Sequence, residues 1–189
     1  MIRLTTTLML LTFLLSGCGF FKAQKKDYFT IDAIPPAGGR AGAEGVPVGI
    51  DTVQLPPAIE RREVAVREES GQLDLRGRDL WGASLETLVM HALAFNLASR
   101  LPEGMVILPG QATPLSATRS IRVIAETFEA GPAEMVVLDA RWILAGADGE
   151  GITRHERIEV PIGSLESADI ANGMSLALAE LANRIAAAL

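Results

Sequence analysis

Few side chains in this sequence could do covalent chemistry, and they lie far apart. Cys18 is the single cysteine in 189 residues, and the two histidines, His91 and His155, are 64 positions from each other. A lone thiol rules out an intramolecular disulfide framework and any cysteine-based zinc cluster. A serine hydrolase needs a nucleophile with a positioned base, yet the G-x-S-x-G elbow is missing. The nearest run, Ile162-Gly163-Ser164-Leu165-Glu166, lacks the second glycine and reads as a turn before a helix. A Ser-His pair assembled across space stays open on residue types alone. His155, however, falls on the polar side of a strand beside Arg154, Glu156 and Arg157, and His91 sits mid-helix, so both read as ordinary histidines. The glycines from Gly38 to Gly45 do not match G-x-x-x-x-G-K-[ST] and precede no helical pattern, which excludes a phosphate loop. Carboxylate pairs such as Glu68-Glu69 belong to a solvated acidic face. With a pI near 5.0 the chain lacks the basic surface a nucleic-acid binder needs. The expectation is a protein that is not an enzyme, with no cofactor and no metal.

The one reactive group gains meaning from what precedes it. Met1-Ile2-Arg3 is followed by an apolar stretch from Leu4 to Leu15, broken only by threonines, and then by Ser16-Gly17. A basic start, a short apolar run and small residues are the anatomy of a secretory signal, here residues 1–17. About 12 apolar residues are too few to span a ~30 Å hydrocarbon core. The tetrad Leu15-Ser16-Gly17-Cys18 resembles the bacterial lipobox, in which the cysteine is thioether-linked to diacylglycerol, becomes the new N-terminus and is acylated. Palmitate-like chains buried at ~0.8 kcal/mol per CH₂ would hold the mature chain on the bilayer without release. Residue 19 is Gly rather than an inner-membrane retention Asp, so the expected address is the periplasmic face of the outer membrane.

Residues 18–27 read as a lipidated tether, with Phe20, Phe21, Lys22, Lys25 and Lys26 suited to a headgroup boundary. From Asp27 onward 13 arginines face 23 carboxylates, a balance of −10. Two readings follow for the lysines: they hold the tether against anionic lipid while the acidic body is pushed away, or they merely keep the tether solvated.

The body, residues 28–189, reads as one domain. Val136, Leu138, Ala140, Trp142 and Leu144 alternate with polar positions, as do Ile152, Ile158, Val160 and Ile162, which is the period of half-buried strands. Asp148-Gly149 between them marks a hairpin. Ser120 to Phe128 is a third strand, joined to the second around Gly131-Pro132. Shorter strands are expected at Tyr28 to Ile31, Gly49 to Leu55, Val64 to Glu68, Leu73 to Arg76 and Met105 to Leu108. Ser84 caps a helix reaching about Leu101, and a second apolar stripe from Ile170 to Ala188 follows Ser167 as its cap. Pro35 to Gly45 reads as a mobile loop. Two helices with one apolar side each and strands with one apolar face predict an α+β fold. Its form is a two-layer sandwich, a mainly antiparallel sheet covered by two principal helices.

Val48-Gly49 to Val53, Leu55-Pro56, Arg61, Val64-x-x-Arg67, Leu73, Trp81, Leu85 and Leu93-x-x-Asn96-Leu97 are similar in order and spacing to the PqiC-like auxiliary lipoproteins of ABC-type and MCE-type transport systems. The later strands and the Ala/Leu-rich last helix fit as well, so the resemblance spans roughly Tyr28 to Leu189. The chain departs from the family at Ala58-Ile59-Glu60, where Tyr-Leu-Asp is usual before the arginine.

The resemblance implies a non-enzymatic partner of a lipid-trafficking apparatus. Its partners would be an MCE-domain periplasmic protein and the associated inner-membrane components, which it would seat or receive at the outer membrane, with a homo-oligomeric ring as a further implication. Two other classes stay open: a subunit of another envelope export machine, and a periplasmic small-ligand-binding lipoprotein or enzyme. The Leu55 to Arg62 segment, carried outward by consecutive prolines, together with Trp81 offers Arg61 and Trp81 as partner contacts. Trp142 reads as core.

Overall fold

The computed structural model describes residues 25–38, 46–111, 119–146 and 151–189. The expected signal peptide, Cys18, most of the tether and the Asp148-Gly149 turn lie outside them, as does most of Gly38 to Gly45. The elements run β1 (Asp27–Phe29), β2 (Val48–Gln54), β3 (Glu63–Arg67), β4 (Leu73–Trp81), α1 (Leu85–Arg100), β5 (Val106–Ile107), β6 (Arg119–Gly131), β7 (Met135–Ala145), β8 (Gly151–Pro161) and α2 (Ser167–Ala186). This is the order the periodicities predict.

The alternating residues do what their spacing requires. Val136, Leu138, Ala140, Trp142 and Leu144 of β7 are all buried, while Asp139 and Arg141 lie on the opposite face. β6, β7 and β8 form an antiparallel meander, paired along its length from Ser120↔Ala145↔Gly151 at one end to Gly131↔Met135↔Pro161 at the other. β2 runs parallel to β6 on its second edge and carries β5, also parallel. Where β2 stops, β3 takes over that edge of β6 at Val66↔Ala130, and it holds β4 antiparallel and then β1 parallel to β4. Both helices pack on one face of this eight-stranded sheet, α1 over β2 and β5 and α2 over β7 and β8. The result is a two-layer α+β sandwich whose longest ladders are antiparallel.

Local chemistry sets the helix ends. Ser84 Oγ accepts the Thr87 N–H at 3.3 Å, the N-cap expected of α1. Ser167, by contrast, is not the cap of α2; Glu166 holds that position without a side-chain bond, and the Ser167 hydroxyl donates to Asp79 Oδ2 at 2.6 Å. This bond ties the first residue of α2 to β4. At Gly173 α2 comes so close to the sheet that a Cβ would lie 2.5 Å from Ile162 Cγ2 and 2.9 Å from Val136 Cγ2. Trp142 is fully buried core, and its indole N–H has no partner among the described residues. No helix among the described residues is long and apolar enough to cross a membrane.

The pairings define two ends. One holds the β6–β7 turn, the β3–β4 turn and the start of α2; residues 25–26 lead into β1 from this side, since β1 runs parallel to β4 and Asp27 pairs with Asp79, which bonds Ser167. The other holds the starts of β2, β6 and β8, with β5 beside them.

Candidate functional site

Three polar side chains buried in the helix layer share one task. Asn96 of α1 and Ser175 of α2 would be costly mid-helix intrusions if unpaired. They serve the segment that follows β1, because the Asp32 N–H donates to Ser175 Oγ and the Ile34 N–H to Asn96 Oδ1, each at 3.0 Å. Arg100, 5 % exposed, completes the latch. Its guanidinium donates to the Ile34 carbonyl (3.1 Å), to Asn96 Oδ1 (3.0 Å) and to Asn183 Oδ1 (2.6 Å). Burial pulls Arg100 below its ordinary pKa, and the field of Glu180 opposes this. Ile31, directly before these bonds, is buried in the core. The chain therefore adds one strand to the sheet at β1 and is then strapped across both helices.

Beside the start of this strap lies a cleft of about 560 Å³, walled by Tyr28, the turn Glu60 to Arg62, Trp81 and the first turn of α1. Both residues expected to contact a partner line it, but they differ in kind. Arg61 is exposed, its Nε–H donating to the Ala58 carbonyl at 3.0 Å. Trp81 is only 5 % exposed and forms the floor, with its backbone N–H on the Arg62 carbonyl at 2.8 Å. The Leu55 to Arg62 segment is not lifted clear of the body as a whole: Leu55 and Ile59 are buried in the core, while Pro57 and the residues after Ile59 are exposed. Ile59 thus fills the core at the point where the sequence departs from Tyr-Leu-Asp. Tyr28 and Glu86 were not singled out by sequence reasoning, and Arg62 only as the end of the Leu55 to Arg62 segment. Tyr28 of β1 is 63 % exposed and stands at the cleft beside Trp81, the residue that ends β4. A second cleft shares the Glu60 and Glu86 wall and continues along the end of β2.

The outer face of the sheet gathers charge without leaving it free. Glu126, displaced by a register shift in β6, Asp139 and His155 bring ligand atoms within 4.8 Å of one another, a donor set that could hold a divalent ion. Both carboxylates are already engaged: Arg141 reaches Glu126 at 3.2 Å, Arg157 reaches Asp139 Oδ2 at 3.0 Å, and His155 Nε2–H donates to Asp139 Oδ1 at 2.5 Å. A metal would have to displace two guanidiniums, so the arrangement works as an ion-pair lattice. The His155 hydrogen bond, ahead of those from Arg157, holds the Asp139 carboxyl below its usual range. His91 is exposed on α1, on the other layer, with its ring tilted against Phe95. The two histidines do not meet.

Comparison with known proteins agrees with the architecture. The family described as ABC-type transport auxiliary lipoprotein component matches over residues 29–186. No curated protein matches. A solved structure of an uncharacterized protein superposes with a TM-score of 0.71 at 19 % identity, covering 87 % of this chain and 99 % of that one. A protein of family DUF330 from Xanthomonas campestris gives 0.60 at 14 % identity, covering 84 % of this chain and 90 % of its own. At these identities the two structures speak for the fold alone.

Proposed function

Because this chain belongs to the family of ABC-type transport auxiliary lipoprotein components, a membrane-anchored class, we propose that it is the accessory subunit of an MCE-type system. In this reading it performs no catalysis. It is held at the periplasmic face of the outer membrane by lipid on Cys18 and receives the periplasm-spanning component there. The observation that carries the reading is the latch from Asp32 and Ile34 to Ser175, Asn96 and Arg100. Such a latch supports a body that must present one face in a fixed direction.

With the tether entering at one end, the starts of β2 and β8 are the end left to meet a partner, and Val46 and Ile152 there are 42 % and 38 % exposed. Arg61, with Trp81 behind it, is the contact in the cleft. The test is co-purification of the lipidated chain from membranes in mild detergent. Recovery of the MCE-domain protein with the native chain, and its loss with Val46→Glu plus Ile152→Glu in a variant of unchanged thermal stability, is the expected result. Equal recovery with both chains contradicts the docking end.

A further inference from the structure

We propose that the free edge of β8, along Gly151 to His155, holds an extended segment of the partner by strand addition, and that this segment carries an apolar residue and a carboxylate two positions apart. This rests on the reading of the start of β8 as the docking end and names how the partner is held there. β8 has 11 residues and pairs with β7 alone among the described residues. Just past its end the Ile162 N–H donates to the Glu134 carbonyl at 2.9 Å, on the β7 side. The register runs unbroken from Met135↔Pro161 to Ala145↔Gly151, so the even-numbered residues bond β7, while Thr153, His155, Arg157 and Glu159 turn both backbone groups to the free edge. Arg184 Nη1 accordingly reaches the outward Arg157 carbonyl at 3.4 Å. Pro161, which has no N–H, falls in the outward set and deprives the ladder of nothing.

The two halves of this edge differ. In the second half Arg184 covers a carbonyl while holding Glu156 at 2.8 Å, and Pro161 ends the row of donors, which are devices that turn an added strand away. The first half has neither, and Gly151 to His155 are all exposed. A row of alternating backbone donors and acceptors is matched by another extended polypeptide, not by a lipid headgroup. The side chains then set its chemistry. Ile152, 38 % exposed, and Arg154 share one face of β8, since they pair with Leu144 and Trp142. His155, Glu156, Arg157 and Glu159 are ion-paired, whereas Arg154 makes no ion pair among the described residues. On an added strand the places opposite Ile152 and Arg154 are non-hydrogen-bonded ones, where side chains lie closest. An apolar residue covers Ile152 there and a carboxylate answers Arg154. A second copy joined antiparallel about Thr153 would set Arg154 against Ile152 instead, and would bring together two bodies of charge −10.

The backbone parity supplies the test. Thr153→Pro removes an outward N–H and leaves the bonds to β7 in place, so the thermal midpoint should stay within a few degrees of the native one, whereas Arg154→Pro removes a ladder bond and should lower it further. The lipidated chain in neutral detergent is titrated with the capped peptide Ser-Thr-Val-Thr-Glu-Thr-Ser while amide exchange is followed. Saturable slowing at Thr153 and His155 is expected. Thr153→Pro should abolish it at His155, and it should be about tenfold weaker with Arg154→Gln or with Lys in place of the peptide's Glu. Co-purification of the MCE-domain protein should be lost with Thr153→Pro and kept with Thr153→Ala. No slowing at Thr153 and His155, or equal slowing by the Lys peptide, overturns the proposal. Recovery of the MCE-domain protein with Thr153→Pro but not with Val46→Glu plus Ile152→Glu overturns strand addition and leaves the docking end standing. A higher mass of the chain alone that falls with Thr153→Pro overturns the partner in favour of a second copy. Peptide binding at the edge without recovery of the MCE-domain protein by the native chain supports the edge and contradicts the docking reading.

Discussion

The backbone N–H of Ile34 donates to Asn96 Oδ1 at 3.0 Å across 62 positions of sequence, so the segment that follows β1 is bonded to helix α1. The same Asn96 oxygen also accepts from Arg100, which reaches the Ile34 carbonyl, and one residue of the strap thereby has both its backbone groups satisfied by the helix layer.

Asn96→Leu keeps the side-chain size but leaves the Ile34 N–H without its acceptor and removes one from Arg100. A loss of about 2–3 kcal/mol is expected. Amide exchange should accelerate at residues 32–34 more than in β6 and β7. Uniform acceleration throughout the body, or none, contradicts a latch.

Trp81 fixes the cleft from within. Trp81→Ala should cost about 3–5 kcal/mol because it removes a buried indole from the core. Arg61→Glu should leave the thermal midpoint unchanged within a degree or two, consistent with an exposed side chain off the core. Differential scanning calorimetry of the two variants separates floor from contact.

Gly173 permits the closest approach of α2 to the sheet. Gly173→Ala gains helix propensity yet sets a methyl group against Ile162 and Val136, and overpacking of this kind costs about 1–3 kcal/mol. Urea unfolding of the variant should show the lower midpoint; a raised midpoint would mean the neighbours yield freely.

Asp139 links stability to acid. Its carboxyl is held below the usual range in the folded chain, first by the His155 hydrogen bond, so its contribution is present above the unfolded value, about 3.9. That contribution fades as pH falls through the lower folded value. Asp139→Asn should therefore lower stability at pH 6, with the deficit shrinking below about pH 4. A deficit independent of pH contradicts the linkage.

Strands and helices were legible because burial acts on single residues: Val136 to Leu144 alternate, and Leu85, Val89, Leu93 and Leu97 stripe one helix face. Alternation says nothing about which strand lies alongside, so the parallel placement of β2 against both β5 and β6 was not readable. Nor was the latch, although Asn96 within Leu93-x-x-Asn96-Leu97 is a polar residue set inside an apolar stripe, and that was its visible signal. Of the cleft, Arg61 and Trp81 were anticipated by type. Tyr28 joins them through β1 pairing with β4, a contact between segments far apart in sequence, whereas Arg62 follows Arg61 directly and Glu86 lies in the first turn after the Ser84 cap.

The central claim is that an anchored body serves a transport complex. Its most direct measurement is mass spectrometry of the chain purified from envelope membranes together with whatever it retains. The account predicts an N-terminal peptide that begins at acylated Cys18, co-eluting with an MCE-domain protein and its inner-membrane permease and ATPase. An unmodified N-terminus on soluble protein recovered without those components would contradict it.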